Sequence, residues 1–498
     1  MAGAFLRMIG AGWTLVRNDA LLPRELDGFY PPPVRMLADA LRLFATRRYG
    51  RPGERLARAF EALGPVAIKL GQLLSTRADI FGRTFAEDLG HLKDKLPPFP
   101  TLQARAQIRD ELGRPVDEVF ATFGEPVAAA SLAQAHEATM ADGRRVAVKV
   151  LRPGIERRVA ADSAALNLAA RLVERWIAPA RRLEPVKFAA TVVRATELEL
   201  DLRLEAAGAD ELSEVMAKDG YMATPKVVWE GVGKRVLTME WAPGIPLSDD
   251  AALEQPGLDR KGLADNLTRA FLAQALDHGV FHADLHEGNL FAAAPDKLYA
   301  VDFGIIGRLG PTERRYLAEI LWGFLQRDYE RVAKVHFDAG YVPARHSVSA
   351  FAQALRAVGE PVFGRTANAV AMSRVLTQLF EITALFEMRL RPELVLLQKT
   401  MMTVEGVARR IDPAHNIWAA AEPVVRRWIA RELSPVSRVR VFAHEAEDAL
   451  RNIGRLLQAQ THTPAPPAPE RPTGGALLWF ALGALASGAA FLAGTWLG

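Results

Sequence analysis

The sequence predicts an α+β protein of two lobes, a small mixed lobe followed by a larger helical one, with a helical N-terminal extension and a C-terminal transmembrane helix. Three observations carry this. Short β-branched runs, VAVKV at 146–150, KVVWE at 226–230 and RVLTME at 235–240, fall within one stretch among longer helical segments. Beyond Leu258 the apolar spacing is almost wholly helical, interrupted only around 280–304. Residues 476–497, ALLWFALGALASGAAFLAGTWL, contain no charged side chain, and about 20 apolar helical residues cross the hydrocarbon of a bilayer.

At 498 residues the chain exceeds one ordinary core and has room for several structural units. Lys and Arg number 62 against 58 Asp and Glu, a formal charge of +4, so there is no basic surface built for nucleic acid and none is expected as a partner. The absence of cysteine excludes disulfides, thiolate zinc sites and a thiol nucleophile. The first twenty residues hold a short apolar stretch broken by Arg7, which reads poorly as a secretory signal and better as a surface or membrane-interfacial helix.

Residues 1–113 form the extension, where Leu56, Ala57, Phe60 and Leu63, then Ala67, Leu70 and Leu74, recur at helical spacing. The small lobe spans 114–241 and the helical lobe 242–460. A proline-rich linker, 461–475, contains PAPPAPERP and is expected to be stiff and extended. The membrane run, 476–497, follows it and inserts only after synthesis ends, which leaves everything before it on one side. The expected location is the inner (cytoplasmic) membrane, with the preceding residues on the cytoplasmic side.

The chemistry concentrates in His282-Ala-Asp284-Leu-His-Glu-Gly-Asn289, followed by Val301-Asp302-Phe303-Gly304. Kinase-type phosphoryl transfer places one Asp at the attacking group, an Asn five residues on as a metal ligand, and a DFG Asp holding metal against the phosphates. Asp284, Asn289 and Asp302 stand in that order and spacing. A triphosphate needs a hard cation, Mg²⁺ or Mn²⁺, and an amide oxygen with a carboxylate suits it. Isolated Asp and Asn are commonly turn residues, and DFG alone says little; the combination is what points to ATP. His282 and His286, four apart, read as supports of this loop rather than as a zinc pair.

Lys149 ends the VAVK run, the position from which a kinase-like fold reaches the α and β phosphates. Such a lysine needs a carboxylate partner on a helix. Glu199, Asp201 and Glu205 are available on TELELDLRLEAAG, with Asp201 and Glu205 four apart and on one helical face. Where protein kinases carry a glycine-rich loop, this chain has Ala128, Ala129, Ala130 and Ser131, whose Cβ atoms restrict how the backbone wraps a phosphate. Met239 and Trp241 flank Glu240 where a hinge would join the lobes and its backbone would meet the adenine. Ala283 replaces the arginine that binds an activation-loop phosphate in many protein kinases, and no APE follows the DFG, which argues against peptide phosphorylation.

Taken together these residues resemble the UbiB/ADCK family of atypical kinase-like proteins linked to ubiquinone biosynthesis, over roughly Glu54 to the C-terminus. Lys69-Leu-Gly71-Gln72 looks like the family's KxGQ signature, AAAS at 128–131 its alanine-rich loop, and Glu199-Leu-Asp201 its ExD element. The resemblance implies that Lys149 pairs with Glu205, and that the KxGQ helix folds across the active site and contacts the ExD carboxylates. It also implies ubiquinone precursors or membrane lipid, and ubiquinone-biosynthesis enzymes, as partners. Glu287 stands where the family has proline, an expected loss of loop rigidity, and bacterial relatives often carry two membrane segments rather than one. With the small-residue face of Gly483 and Gly488, the resemblance makes a homodimer in the membrane an expectation. Two other readings stay open: a phosphotransferase of the aminoglycoside or choline kinase type, and a nucleotide-sensing scaffold without turnover.

Overall fold

The computed structural model of the protein describes residues 2–21, 32–46, 49–75, 83–90, 92, 96–176, 181, 184–363, 378, 382, 385–388 and 392–432. Its contacts divide the chain into Met1–Arg431 and Glu432–Gly498. The proline-rich linker, the apolar run and its Gly483 and Gly488 lie outside the described residues. Among the described residues no helix is long and apolar enough to cross a membrane.

The extension is helical: α1 (Ala2–Arg17), α2 (Pro32–Arg42), α3 (Pro52–Leu63), α4 (Pro65–Ser75) and α5 (Arg83–Gly90). A capping box between Arg51 and Glu54 opens α3, with Pro52 at the position where a missing N–H costs nothing. Gly64, at φ 106°, then turns the chain into α4, a conformation open to glycine. Phe60 and Leu89 form the buried centre of this unit, surrounded by Leu56, Leu63, Leu70 and Leu74.

The small lobe has α6 (Thr101–Leu112), the single turn α7 (Val116–Val119), and strands β1 (Phe120–Ala129), β2 (Ala133–Met140), β3 (Arg145–Leu151) and β4 (Val236–Glu240). They form one antiparallel sheet in the order β1-β2-β3-β4. Alternation along β3 sends Val146, Val148 and Val150 into a core with Ile108, Phe120 and Val236. Lys149, between two of them, is thereby delivered to the opposite face. Helices α8 (Ile155–Trp176), α9 (Pro185–Leu198) and α10 (Leu202–Asp219) separate β3 from β4.

Two expectations are corrected here. The KVVWE run is not a strand: Val227 makes one isolated bridge to Met239, and Trp229–Gly231 closes a 3-10 turn held by Thr238 Oγ1 donating to the Gly231 carbonyl at 2.8 Å. A Cβ at Gly231 would meet the Thr238 side chain, so the glycine permits this approach. The single helix expected through Glu199, Asp201 and Glu205 is two helices. Asp201 has extended backbone (φ −123°, ψ 91°) and caps α10, accepting from the Arg203 N–H, so it shares no helical face with Glu205.

The large lobe contains α11 (Arg260–Ala273), prolonged by a π turn at Gln274–His278, then α12 (Pro311–Leu325), α13 (Tyr329–Asp338), α14 (Val348–Phe363), α15 (Pro392–Ile411) and α16 (Ile417–Glu432). Its strands are short. β6 (Val280–His282) pairs with β9 (Ile306–Arg308), while β5 (Ile245–Pro246), β7 (Leu290–Ala293) and β8 (Lys297–Ala300) form a three-stranded sheet. These two small sheets hold the segment 280–304, and α15 packs on α11 behind them.

Candidate active site

Lys149 Nζ lies 2.7 and 2.9 Å from the Glu205 carboxylate oxygens and 3.4 Å from Asp302 Oδ2, so one ammonium joins β3, the first turn of α10 and the DFG segment. Burial alone would favour its neutral form. The Asp302 and Glu205 charges outweigh that and push its pKa well above the ordinary lysine value. The same ammonium holds the Asp302 carboxyl below its usual range against burial. Burial pushes Glu205 up, and Lys149 opposes it. The Asp201 cap sets the start of α10, and with it the position of Glu205 three residues inside.

Asp302 has φ 60°, the left-handed region that non-glycine residues seldom occupy, and its carboxylate accepts from the Gly304 N–H at 3.3 Å. Such strain collects at functional sites. The carboxylate remains half exposed at 49%.

The catalytic-type loop is tied to the DFG segment by main-chain bonds. Val301 N–H donates to the Asn289 carbonyl at 2.9 Å, which brings Asn289 beside the residue preceding Asp302. Asn289 Nδ2 donates to the Asp284 carbonyl at 3.1 Å, leaving its Oδ1 as the atom available to a cation. His282 is buried; its Nδ1 accepts from the Asp284 N–H at 3.1 Å and its Nε2 donates to the Val301 carbonyl at 3.2 Å. Burial lowers its pKa, which keeps the ring neutral and suits one accepting and one donating nitrogen. His282 is therefore a brace between loop and DFG segment. His286 accepts from the Gly288 N–H at 3.0 Å.

The described residues contain no group of three or more His, Cys, Asp or Glu placed to hold a metal. The oxygens that fit are the Asn289 amide and the Asp302 carboxylate, a donor set suited to Mg²⁺ completed by phosphate and water.

Several contacts here were not legible in the sequence. Thr400 Oγ1 of α15 donates to the Ala283 carbonyl at 3.1 Å. Arg410, from the same helix, pairs with Glu287 and also donates to the Leu247 carbonyl at 2.8 Å and to Asp250 at 2.7 Å. The looseness expected from replacing proline by Glu287 is thus opposed by an ion pair. Arg152 donates to the Ala130 carbonyl at 3.0 and 2.8 Å and to the Pro97 carbonyl at 2.9 Å. This pins the alanine segment, in which Ala128 and Ala129 end β1, Ala130 bonds to Ala133, and Ser131 is buried. Met239 is buried in β4, and the N–H groups of Glu240 and Trp241 are engaged with the carbonyls of Lys226 and Arg145. The Trp241 N–H is therefore not free for adenine.

The KxGQ helix is α4, and it packs on α8 and α9. Lys69 is buried and ion-paired to Glu199, close enough to Glu205 for the Glu199 charge to raise that carboxyl. Of the two ExD carboxylates only Glu199 meets Lys69; Asp201 is held by Arg203 at 2.6 and 2.8 Å. Gly71 is buried where a Cβ would meet Leu92 and Phe60, and Gln72 lies half-buried on the same helix, its carbonyl accepting from Ser75 Oγ at 2.6 Å.

Residues 91–336 match the ABC1 atypical kinase-like domain, and residues 355–416 the UbiB helical domain. A protein named probable protein kinase UbiB from Marinobacter nauticus is 40% identical over 439 residues, covering 86% of this chain and 79% of its own. The protein of that name from Pseudomonas aeruginosa is 39% identical over 427 residues, covering 83% and 80%. Among solved structures, the Rv3197–erythromycin complex from Mycobacterium tuberculosis aligns with TM-score 0.52 at 23% identity, covering 79% of this chain and 97% of that one. That likeness supports the kinase-like fold, and the sequence matches go further: the chain belongs to the UbiB family of atypical kinases.

Proposed function

We propose that the protein binds ATP with Mg²⁺ or Mn²⁺ between its lobes and spends it on hydrolysis or on phosphorylation of a small lipid-like acceptor, in support of ubiquinone biosynthesis at the inner membrane. The observation that carries this is the Lys149 ammonium held between Glu205 and Asp302, opposite a loop that presents Asp284 and Asn289. Lys149 is poised to exchange its carboxylate contact for phosphate oxygens. Asn289 Oδ1 and Asp302 would hold the divalent ion, which when bound neutralises charge on the phosphates. Asp284, a third exposed with His286 Nε2 3.7 Å from its Oδ2, is the group placed to take the acceptor's proton.

The membrane part of the reading is supported by the uncharged run at 476–497, and the quinone part by the family name that its relatives carry. Ubiquinone precursors and the enzymes that process them are the partners this implies, with a homodimer as the expected assembly. Replacing Asp302 with Asn tests it: metal-dependent ADP release by the purified chain and ubiquinone production in its host should both be lost. Normal quinone levels in such a strain would remove the quinone role, and phosphate transfer to choline or an amino-sugar would favour a small-molecule phosphotransferase. Tight ATP binding without ADP release would favour the scaffold reading.

A further inference from the structure

We infer that Gln274, in the π turn that prolongs α11, is a positioning residue for Asp284 and acts on it through the main chain of His282. The inference rests on the reading of Asp284 as the group that takes the acceptor's proton, and adds to it the buried contact that keeps this group in place.

Gln274 and His282 are both buried, and the His282 N–H donates to Gln274 Oε1 at 3.0 Å. Strand geometry explains why an acceptor is needed there. Successive N–H groups along a strand point to opposite edges, and that of Ala283 bonds across to the Ile305 carbonyl at 3.1 Å, beside the β6–β9 ladder. The His282 N–H therefore leaves by the other edge, where the two-stranded sheet has no further strand among the described residues. Gln274 supplies the acceptor that such a strand would have carried, which a buried N–H requires. Among the described residues its Nε2 meets no hydrogen-bond partner, so the side chain serves as an acceptor alone.

The π turn sets this acceptor beside the strand. In an α-helix the Gly279 N–H would bond to the carbonyl of Ala275; here it bonds to that of Gln274, which fits one more residue into the turn, a device that collects at functional sites. Two helices hold the wider turn from outside. Arg314 of α12 donates to the Leu276 and Asp277 carbonyls at 2.7 and 2.6 Å, and Trp428 Nε1 of α16 to the Leu276 carbonyl at 2.9 Å. From His282 the restraint passes on through the ring, whose Nδ1 holds the Asp284 N–H and whose Nε2 holds the Val301 carbonyl. These two ends are not equally secured. Val301 is tied a second time, through its own N–H to the Asn289 carbonyl, so the candidate cation ligands stay together when His282 shifts. Asp284 then keeps its carbonyl bond to Asn289 Nδ2 and can turn about it. Loss of the Gln274 acceptor falls on proton transfer more than on nucleotide binding.

Gln274→Met removes the acceptor at nearly constant volume. Gln274→Glu keeps it, because a carboxyl oxygen accepts from the His282 N–H and the lost Nε2 breaks no bond. Metal-dependent ADP release by the purified full-length chain is measured against ATP concentration at about pH 6, where burial favours the neutral acid at 274, and Tm reports folding. Gln274→Met should lower kcat about ten- to a hundredfold with the KM for ATP within about twofold of the parent, and Gln274→Glu should bring kcat back to within about threefold. If the methionine variant does not fold, Gln274→Asn, which withdraws the same amide by one methylene, carries the same expectation; if neither folds, Gln274 serves folding and the inference falls. With an active parent, an unchanged kcat, a KM that rises as far as kcat falls, or a glutamate variant as slow as the methionine one overturns the inference and leaves the reading of function standing. A parent without metal-dependent turnover overturns that reading, and the inference with it.

Discussion

Glu287 of the catalytic-type loop is ion-paired to Arg410 of α15, 123 residues further along the chain, and Arg410 is itself seated on the Leu247 carbonyl and Asp250. The pair holds the turn that carries Asn289. Both side chains are partly exposed, so its contribution to stability is only about 0.5–1 kcal/mol, and its effect should show in positioning instead. Arg410→Ala should lower the turnover number for ATP about three- to tenfold with little change in KM. His286 has the extended backbone a residue before proline requires, φ −82° and ψ 165°, so Glu287→Pro fits the turn and fixes it covalently. In that background Arg410→Ala should have little further effect. Equal losses in both backgrounds would show that the loop is not held through Glu287.

The Lys69–Glu199 pair makes a second prediction. Lys69 is buried, so Lys69→Met leaves the Glu199 carboxylate without this cation and close to Glu205. A buried pair broken on one side costs about 3–5 kcal/mol; Glu199 keeps a quarter of its side chain in water, and about 1–2 kcal/mol is expected by denaturant unfolding. Adding Glu199→Gln removes the carboxylate charge and should recover about half of the loss. Simple additivity of the two changes would deny the coupling.

Metal and nucleotide should act together on stability. The Asp302 carboxylate contacts Lys149 at 3.4 Å and is half open to solvent, so cation binding needs only a small rearrangement of that contact. Mg²⁺ with ATP at about a hundredfold over Kd should add about 2.7 kcal/mol to the stability of the folded state. Chelation with EDTA, or Lys149→Met, should remove most of the gain, read as the shift in Tm. A full gain in the lysine variant would take Lys149 out of the phosphate site.

How much of this was legible in the sequence depends on range. Lys149 could be placed because the valines around it alternate in β3, and the HADLHEGN and DFG segments could be joined because their spacing is local. The choice among Glu199, Asp201 and Glu205 was not open to spacing alone, since a break in the helix turns Asp201 into a cap. Strands β1 and β2 were hidden because alanine, glycine and polar residues supply most of FATFGEPVAA and AQAHEATM, leaving little β-branched signal. KVVWE had that signal and still formed a turn, because Val228 could be buried without a strand around it. Arg152, Thr400 and Arg410 reach backbone carbonyls or charges far away in sequence, and no local pattern marks such contacts.

His336 gives the protein a pH-dependent weakness away from the site. It is buried among Phe351 and Tyr341, with ring centroids 5.3 and 6.1 Å away, and its Nδ1–H donates to the Val332 carbonyl at 2.8 Å. Burial lowers its pKa from 6.5 to about 4. Below pH 6.5 the unfolded chain takes up a proton that the folded chain refuses until about pH 4, so the unfolded state binds more protons and stability falls as pH falls. The loss from this residue is about 3 kcal/mol over that window and vanishes above it. A phenylalanine at 336 keeps the ring contacts, gives up one hydrogen bond and cannot titrate. His336→Phe should therefore be less stable than the parent near pH 7.5 and show a shallower decline of Tm towards pH 4.5. Parallel Tm profiles for the two proteins would show that His336 is protonated in the folded state as readily as in the unfolded one.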